Sequence, residues 1–378
     1  MIPLVRETFS GRSVFVTGHT GFKGSWLALW LQRLGARVTG YALAPPTDPS
    51  LFVAGDVREL LAAHHEADIR DGAQLNRALQ EADPDVVFHL AAQSLVLTSY
   101  DRPRETFEVN VIGTAGLLEA VRARAKPCAV VIVSSDKCYE NRDQVRGYRE
   151  IDPLGGHDPY GASKAAAEIV VAAYRRSFFA VDRIAQHGVK LASARSGNVF
   201  GGGDWGKDRI VTDIVRHLAA GRPVPVRSPR AVRPWQHVLQ ALSGYLLLAA
   251  RMLRSDDPAW CDAWNFGPIP GEEVPVAQLV EWFLAQWEGG TWEDLSDRRH
   301  PHEAHTLRLS IDKALGQLGW RPAWGLQEAV RRTARWYRQF YAAGSRGMRE
   351  ACRQDIAGYE QAWAEAAATT EPGEWAGS

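Results

Sequence analysis

The chain is short of cysteine, has no excess charge of either sign and carries no long apolar run, and each shortage removes a class of protein. Four cysteines, Cys128, Cys138, Cys261 and Cys352, are scattered without a CxxC or any metal-ligand spacing. That excludes a disulfide framework and fits reduced thiols. Lys+Arg and Asp+Glu each number 44, so neither nucleic acid nor a membrane is expected as a partner. No stretch approaches the roughly eighteen apolar residues that cross a bilayer, and "MIPLVRETFSGRS" lacks the apolar segment of a secretory signal. A cytoplasmic protein is expected. What remains is 378 residues, 46% hydrophobic and 23% charged, enough for a large core. The 14 tryptophans fall mostly in amphipathic patterns such as "SWLALWLQRL" and read as core.

Strand-like runs alternate with helical periodicity through the first half. "SVFVTG", "ARVTGYAL", "HHEADI", "DVVFHLAA", "CAVVIVSS" and "VKLASARSGNVFG" read as strands. Helices are expected at about 23–34, 75–81, 114–125 and 158–178. This alternation predicts an α/β fold with a doubly wound parallel sheet. Beyond residue 196 the pattern changes to the loop "GGGDWGKDR" and a series of amphipathic helices, with "WNFGP" as a strand that could rejoin the sheet. The expected division is a dinucleotide-binding domain over 1–196, a smaller α/β substrate lobe over 197–365 (with segments near 234–267 returning to the first domain), and a disordered tail over 366–378.

The first strand runs into "GHTGFKG", placing Gly18, Gly21 and Gly24 at a strand-to-helix turn. Glycines let backbone N–H groups and a helix N-terminus approach a pyrophosphate. The spacing is GxxGxxG rather than the commoner GxGxxG. No acid stands at the end of the second strand for the ribose hydroxyls, and Asp68 reads either as an adenine neighbour or as a loop cap.

Two further stretches carry chemistry. "PYGASK" puts Tyr160 and Lys164 at i and i+4, on one helix face. A lysine ammonium nearby would lower the phenol from its reference value near 10 and make it a base for a sugar hydroxyl. "SSDKCY" puts Ser135, Asp136 and Lys137 directly behind a buried strand, where a lone Asp-Lys would read as a surface ion pair.

These motifs together resemble the extended short-chain dehydrogenase/reductase family. "VTGHTGFKGSWLALWL", "SSDKCYEN", "RSGNVFGGGDW", "RPWQHV" and "HPHEAH" are similar to the CDP-glucose 4,6-dehydratases within it. The resemblance implies NAD as a transient hydride carrier and a redox-neutral elimination. Tyr160 would deprotonate the C4 hydroxyl, with Ser135 bonded to the same oxygen. Asp136 would protonate the departing C6 hydroxyl, and Lys137 would act at C5 as base or as enolate stabiliser. Asp136 must then hold a proton near neutral pH, and Lys137, as base, must be partly neutral. A 4-epimerase or reductase of the same fold would need Tyr160 and Lys164 but no pair at 136 and 137; a dinucleotide-binding scaffold would need none of them.

Residue by residue, the resemblance assigns Gly18, Thr20, Gly21, Phe22, Lys23, Gly24, Asp68, Ile69, Leu90, Ala91, Ala92, Tyr160 and Lys164 to the cofactor. It assigns Gln93, Ser135, Asn198, Arg209, Arg233, His302 and Glu303 to a nucleotide-sugar substrate. His300, His302 and His305 match no zinc spacing, so no metal is expected. His89 and Asn110 read as structural. The resemblance would put proline at Ser94 and arginine at Leu97, so the sugar pocket departs from its pattern there. It also implies a homodimer or homotetramer built on helices near 104–124 and 158–179.

Overall fold

Short runs rich in valine, alanine and isoleucine form seven parallel strands in the protein, described by a computed structural model over residues 1–144, 146–269, 271–296 and 307–368. The strands are β1 (Ser13–Thr17), β2 (Arg37–Ala42), β3 (Ala63–Glu66), β4 (Val86–His89), β5 (Cys128–Val133), β6 (Val189–Arg195) and β7 (Ala263–Asn265). Their order is β7-β6-β5-β4-β1-β2-β3. Every residue of β1, β4 and β5 is buried, as sheets covered by helices on both faces require. This is the doubly wound α/β fold the alternation predicts. The chain winds outward through β2 and β3, then reverses to β4, so a crevice opens beyond the ends of β1 and β4.

Register brings the functional segments together. Thr17 pairs with His89, and Val133 with Ala194, so residues 134–137 and 195–198 leave the sheet side by side. The strand expected through "SGNVFG" stops at Arg195. Asn198 takes a left-handed conformation (φ 40°), and Val199–Phe200 pairs instead with Gln236–His237. The "WNFGP" segment does return, as β7 against β6. The predicted helices lie at Phe22–Arg33, Gly72–Ala82, Gly113–Arg124 and Pro159–Ser177. Asp158 caps the last by accepting from Gly161 N at 2.8 Å, with Pro159 at the first helical position.

Two helices of eight or more residues escaped the sequence reading, Ile2–Phe9 and Met348–Ala368. The second buries Cys352, Ile356, Tyr359 and Trp363 completely. Its Glu360 accepts from Trp30 Nε1 (3.0 Å), Arg33 Nε (3.2 Å) and Arg6 (3.2 Å), which clamps it to the helix that follows the glycine turn. Trp26, Trp30, Trp264, Trp320, Trp336 and Trp363 are all fully buried, in keeping with a core role. Among the described residues no helix is long and apolar enough to cross a membrane. The disordered tail expected over 366–378 begins too early, because residues 366–368 belong to the helix Met348–Ala368; residues 369–378, and His300, His302, Glu303 and His305, lie outside the described residues. Replacing Trp363, which meets Trp30 and Tyr359 edge-on or tilted, should test the clamp: Trp363→Ala is expected to cost about 3–5 kcal/mol, read from the urea midpoint.

Candidate active site

The glycine turn fits a dinucleotide. At Gly18 (φ 72°) a Cβ would lie 2.7 Å from Ala91 N, so glycine is needed there to bring β1 and β4 together. Gly21 is different. Its φ is −78° and an added Cβ would meet only Gly18 O at 3.4 Å, so nothing in the protein itself demands glycine. The bare backbone leaves room for a phosphate. Gly21 also caps Phe22–Arg33 with no side-chain acceptor, leaving first-turn N–H groups available to an anion. Thr17 Oγ1 accepts from Leu90 N and Ala91 N, both at 3.1 Å, and bonds His89 Nδ1 at 2.7 Å. His89 is therefore a core histidine that holds the "LAA" turn.

Ser135, Asp136, Lys137, Tyr160 and Lys164 converge beyond β5. Ser135 Oγ accepts from Lys137 N (3.2 Å) and donates to Asp136 Oδ1 (3.0 Å). Asp136 is 3% exposed, and burial raises its pKa above the ordinary carboxylate value. Its other oxygen, Oδ2, is buried without a hydrogen-bond partner, an arrangement that suits a protonated acid better than a carboxylate. Lys137 is half-buried. The opening of the helix Pro159–Ser177 sets Tyr160 against Ser135. Burial pushes the phenol up to about 12, while the Ser135 hydroxyl and the Arg209 guanidinium pull it back.

The lysine relationships differ from expectation. Lys164 does not donate to the phenol: Nζ donates to Val133 O at 3.0 Å. Burial pushes this amine down to about 8, opposed by Glu168 one turn along the helix. The amine that burial and the Lys164 charge together bring to about 7 is Lys23. Lys23, assigned by resemblance to the cofactor turn, reaches Ser196 Oγ (3.0 Å) and Tyr245 OH (3.4 Å), which are themselves 2.6 Å apart. Ser196 and Tyr245 were missed. The signal available for Ser196 was its place at the carboxyl end of a parallel strand, where α/β sites form.

Other assigned residues find protein partners. Gln93 bonds Leu95 O and N and Thr106 Oγ1, and its backbone is held at both ends by Asn110. Asn110 also donates to Ser163 and is structural. Asp68 accepts from Arg70 N at 2.8 Å and Arg70 Nε at 3.0 Å, the loop-cap alternative. Thr20 Oγ1 donates to Leu43 O, and Ile69 is buried. Arg209 is gripped by Asp204 (2.6 Å) and reaches Ser94 Oγ (3.4 Å), so a guanidinium from another loop stands beside the departure at Ser94, while Leu97 is exposed. The charge of Arg233 opposes the upward shift of Asp136. Among the described residues no group of three or more His, Cys, Asp or Glu could hold a metal.

A buried ion pair fixes the constellation from below. Arg195 donates to Glu168 Oε2 at 2.8 Å, with both side chains under 5% exposed, and also to Tyr139 OH at 2.8 Å. Tyr139 in turn donates to Asn265 Oδ1 at 2.7 Å. Neither Glu168 nor Arg195 was singled out from sequence; the signal was Glu168 standing one turn beyond Lys164.

A glycine turn for a dinucleotide, with Ser135, Tyr160 and Lys164 over the same crevice, defines a short-chain dehydrogenase/reductase. The sequence profile described as "GDP-mannose 4,6 dehydratase" matches residues 15–262. A CDP-glucose 4,6-dehydratase of Salmonella typhimurium is 48% identical over 334 residues, 88% of this chain and 92% of the relative. A solved dTDP-glucose 4,6-dehydratase of Streptomyces venezuelae, with NAD and TYD bound, gives a TM-score of 0.71 at 25% identity, covering 86% of this chain and 97% of that one. A UDP-glucose 4-epimerase of Thermus thermophilus in complex with NAD gives 0.72 at 28% identity, over 86% and 98%. The chain belongs to the GDP-mannose 4,6-dehydratase family.

Burial opposes the charge on Glu168, but Arg195 and Ser193 outweigh it and hold the carboxyl below its ordinary 4.5. The stability this contributes is fully present above that value and lost as pH falls through the lower folded one. Glu168→Gln, which leaves Arg195 buried and uncompensated, should cost about 3–5 kcal/mol at neutral pH and flatten the acid limb of urea stability against pH.

Proposed function

We propose that this protein converts CDP-glucose to CDP-4-keto-6-deoxyglucose, as an NAD-dependent hydro-lyase. The observation that carries the reading is Asp136, a carboxyl buried with one oxygen unpartnered beside the Ser135–Tyr160 pair, in a chain 48% identical to a CDP-glucose 4,6-dehydratase. An epimerase needs no acid there.

Gly18, Gly21 and the start of Phe22–Arg33 would hold NAD at the glycine turn, and the bound group would supply the transient oxidation at C4 and the later reduction at C6. Tyr160 receives the C4 hydroxyl proton, and Ser135 holds the same oxygen. The Arg209 guanidinium is the cation that favours the phenolate, while Lys164, one turn along the same helix, holds the end of β5 through Val133 O. The 4-ketone acidifies the C5 hydrogen; Lys137 takes that proton or steadies the enolate. Asp136 gives its proton to the C6 hydroxyl, which leaves as water. Asn198, Arg209 and Arg233 hold the diphosphate.

A homodimer accompanies this reading. Phe107, Ile112 and Ile169 are large apolar side chains left exposed on the segments near 104–124 and 158–179, the kind of face that association covers. The four cysteines are free and buried, consistent with a cytoplasmic enzyme.

Incubation with CDP-glucose and NAD should yield the alkali-dependent absorbance of a 4-keto-6-deoxy sugar with no net NADH; UDP-galactose formed from UDP-glucose would point to epimerisation instead. Tyr160→Phe should lower turnover at least about 100-fold. Because Asp136 must be protonated, kcat should fall as pH rises through its raised value, and Asp136→Asn should remove that limb along with most activity. Ile112→Glu with Ile169→Glu should shift the sedimentation coefficient to that of a monomer.

A further inference from the structure

Beside the reacting groups, Gly197 is a residue whose type has no explanation in its own backbone. Its φ lies outside the left-handed region, so any residue could adopt the conformation. A Cβ built on it would nevertheless lie 1.7 Å from Asp136 Oδ2, 2.3 Å from Cγ and 2.9 Å from Oδ1. All three nearest atoms belong to one carboxyl group.

The loop cannot retreat to make room. Ser196 is held by Lys23 and Tyr245. Gly197 O accepts from Gln236 Nε2 at 3.3 Å, and Asn198 O from Gln236 N at 3.3 Å. Asp136 is the end of a short side chain with two rotatable bonds, so it yields first. Turning it away breaks the 3.0 Å bond from Ser135.

We propose that Gly197 is a positioning residue for the acid: the absence of a side chain at 197 makes the slot that keeps the Asp136 carboxyl over the leaving hydroxyl, and so commits the site to elimination. The inference rests on the dehydratase reading. In the step concerned, Lys137 takes the C5 proton, and the electron pair of the broken C5–H bond forms the C5=C6 double bond. The C6–O bond breaks, and the Asp136 proton leaves with that oxygen as water. A side chain at 197 displaces the proton donor while leaving Tyr160, Ser135 and the glycine turn in place, so oxidation at C4 survives and elimination does not.

The test compares Gly197→Ala with wild type and Asp136→Asn. With CDP-glucose and NAD, Gly197→Ala should form the 4-keto-6-deoxy product at least about 100-fold more slowly, while the near-ultraviolet absorbance of bound NADH accumulates. The double variant Gly197→Ala/Asp136→Asn should be no slower than either single one, since both remove the same donor. Product within a few-fold of wild type, equal loss of oxidation and elimination, or additive losses would overturn the proposal. A substrate-free readout separates it from the functional reading. In carbon-13 spectra of labelled aspartate, Asp213 and Asp355 should also titrate above the ordinary range, but the raised signal that vanishes in Asp136→Asn should move toward ordinary values in Gly197→Ala. If it moves while wild type leaves CDP-glucose untouched, the substrate assignment fails and the positioning role stands; if it does not move, the positioning role fails. Should Gly197→Ala unfold the chain, adding Asp136→Ala restores the fold if the overlap is with that carboxyl alone, and failure to restore it overturns the proposal.

Discussion

One buried contact organises the catalytic end of the molecule: the Arg195 guanidinium against Glu168. The arginine ends β6, and the glutamate rides on the helix that presents Tyr160 and Lys164. Through Tyr139 and Asn265 the same guanidinium reaches the turn after β5 and the strand β7. Four separate pieces of chain are therefore locked at one point, directly beneath the reacting groups. Charge this deeply buried is tolerable only because both partners are hydrogen-bonded. Geometry of this kind, held by supports rather than by the catalytic side chains themselves, is what orienting several groups on one hexose demands.

Above that lock, burial sorts the titratable groups. It raises Asp136, holds Tyr160 near 12, and lowers Lys164 and Lys23 toward neutrality. All four shifts favour neutral forms, as a crevice poor in water imposes. Each of these side chains thus carries less charge than it would in water. Arg209, fixed to Asp204 on a loop whose Tyr337 contact comes from the C-terminal helices, keeps its charge and couples that loop to the phenol.

Much of this was legible in the sequence because the relevant signals are local. Continuous apolar runs marked the buried parallel strands, and the i, i+4 spacing of Tyr160 and Lys164 put both on one face. What stayed hidden depends on contacts between distant segments. Lys23 looks like a residue of the phosphate turn, yet its amine lands on Ser196, 173 positions away. Gln93 and Asp68, assigned by resemblance to substrate and cofactor, also bond protein groups that their sequence context does not reveal. Gly197 is intelligible only once Asp136 is seen against it. The helix Met348–Ala368 was missed because its apolar stripe is narrow and interleaved with charges, and its partner Trp30 lies at the other end of the chain.

That partnership has a consequence for how the protein is made. Trp30, on the helix that follows the glycine turn, is synthesised 330 positions ahead of Glu360, and one flank of that helix stays open until Glu360 and Trp363 arrive. Arg6 and Glu360 are separated by 354 positions, so the loop they close is among the longest the chain allows. A nascent chain can assemble the central strands, but its nucleotide end must wait with tryptophan surface bare. Vectorial translation therefore leaves a window in which a chaperone, or a neighbouring chain emerging nearby, can compete for the face that the last helix eventually covers.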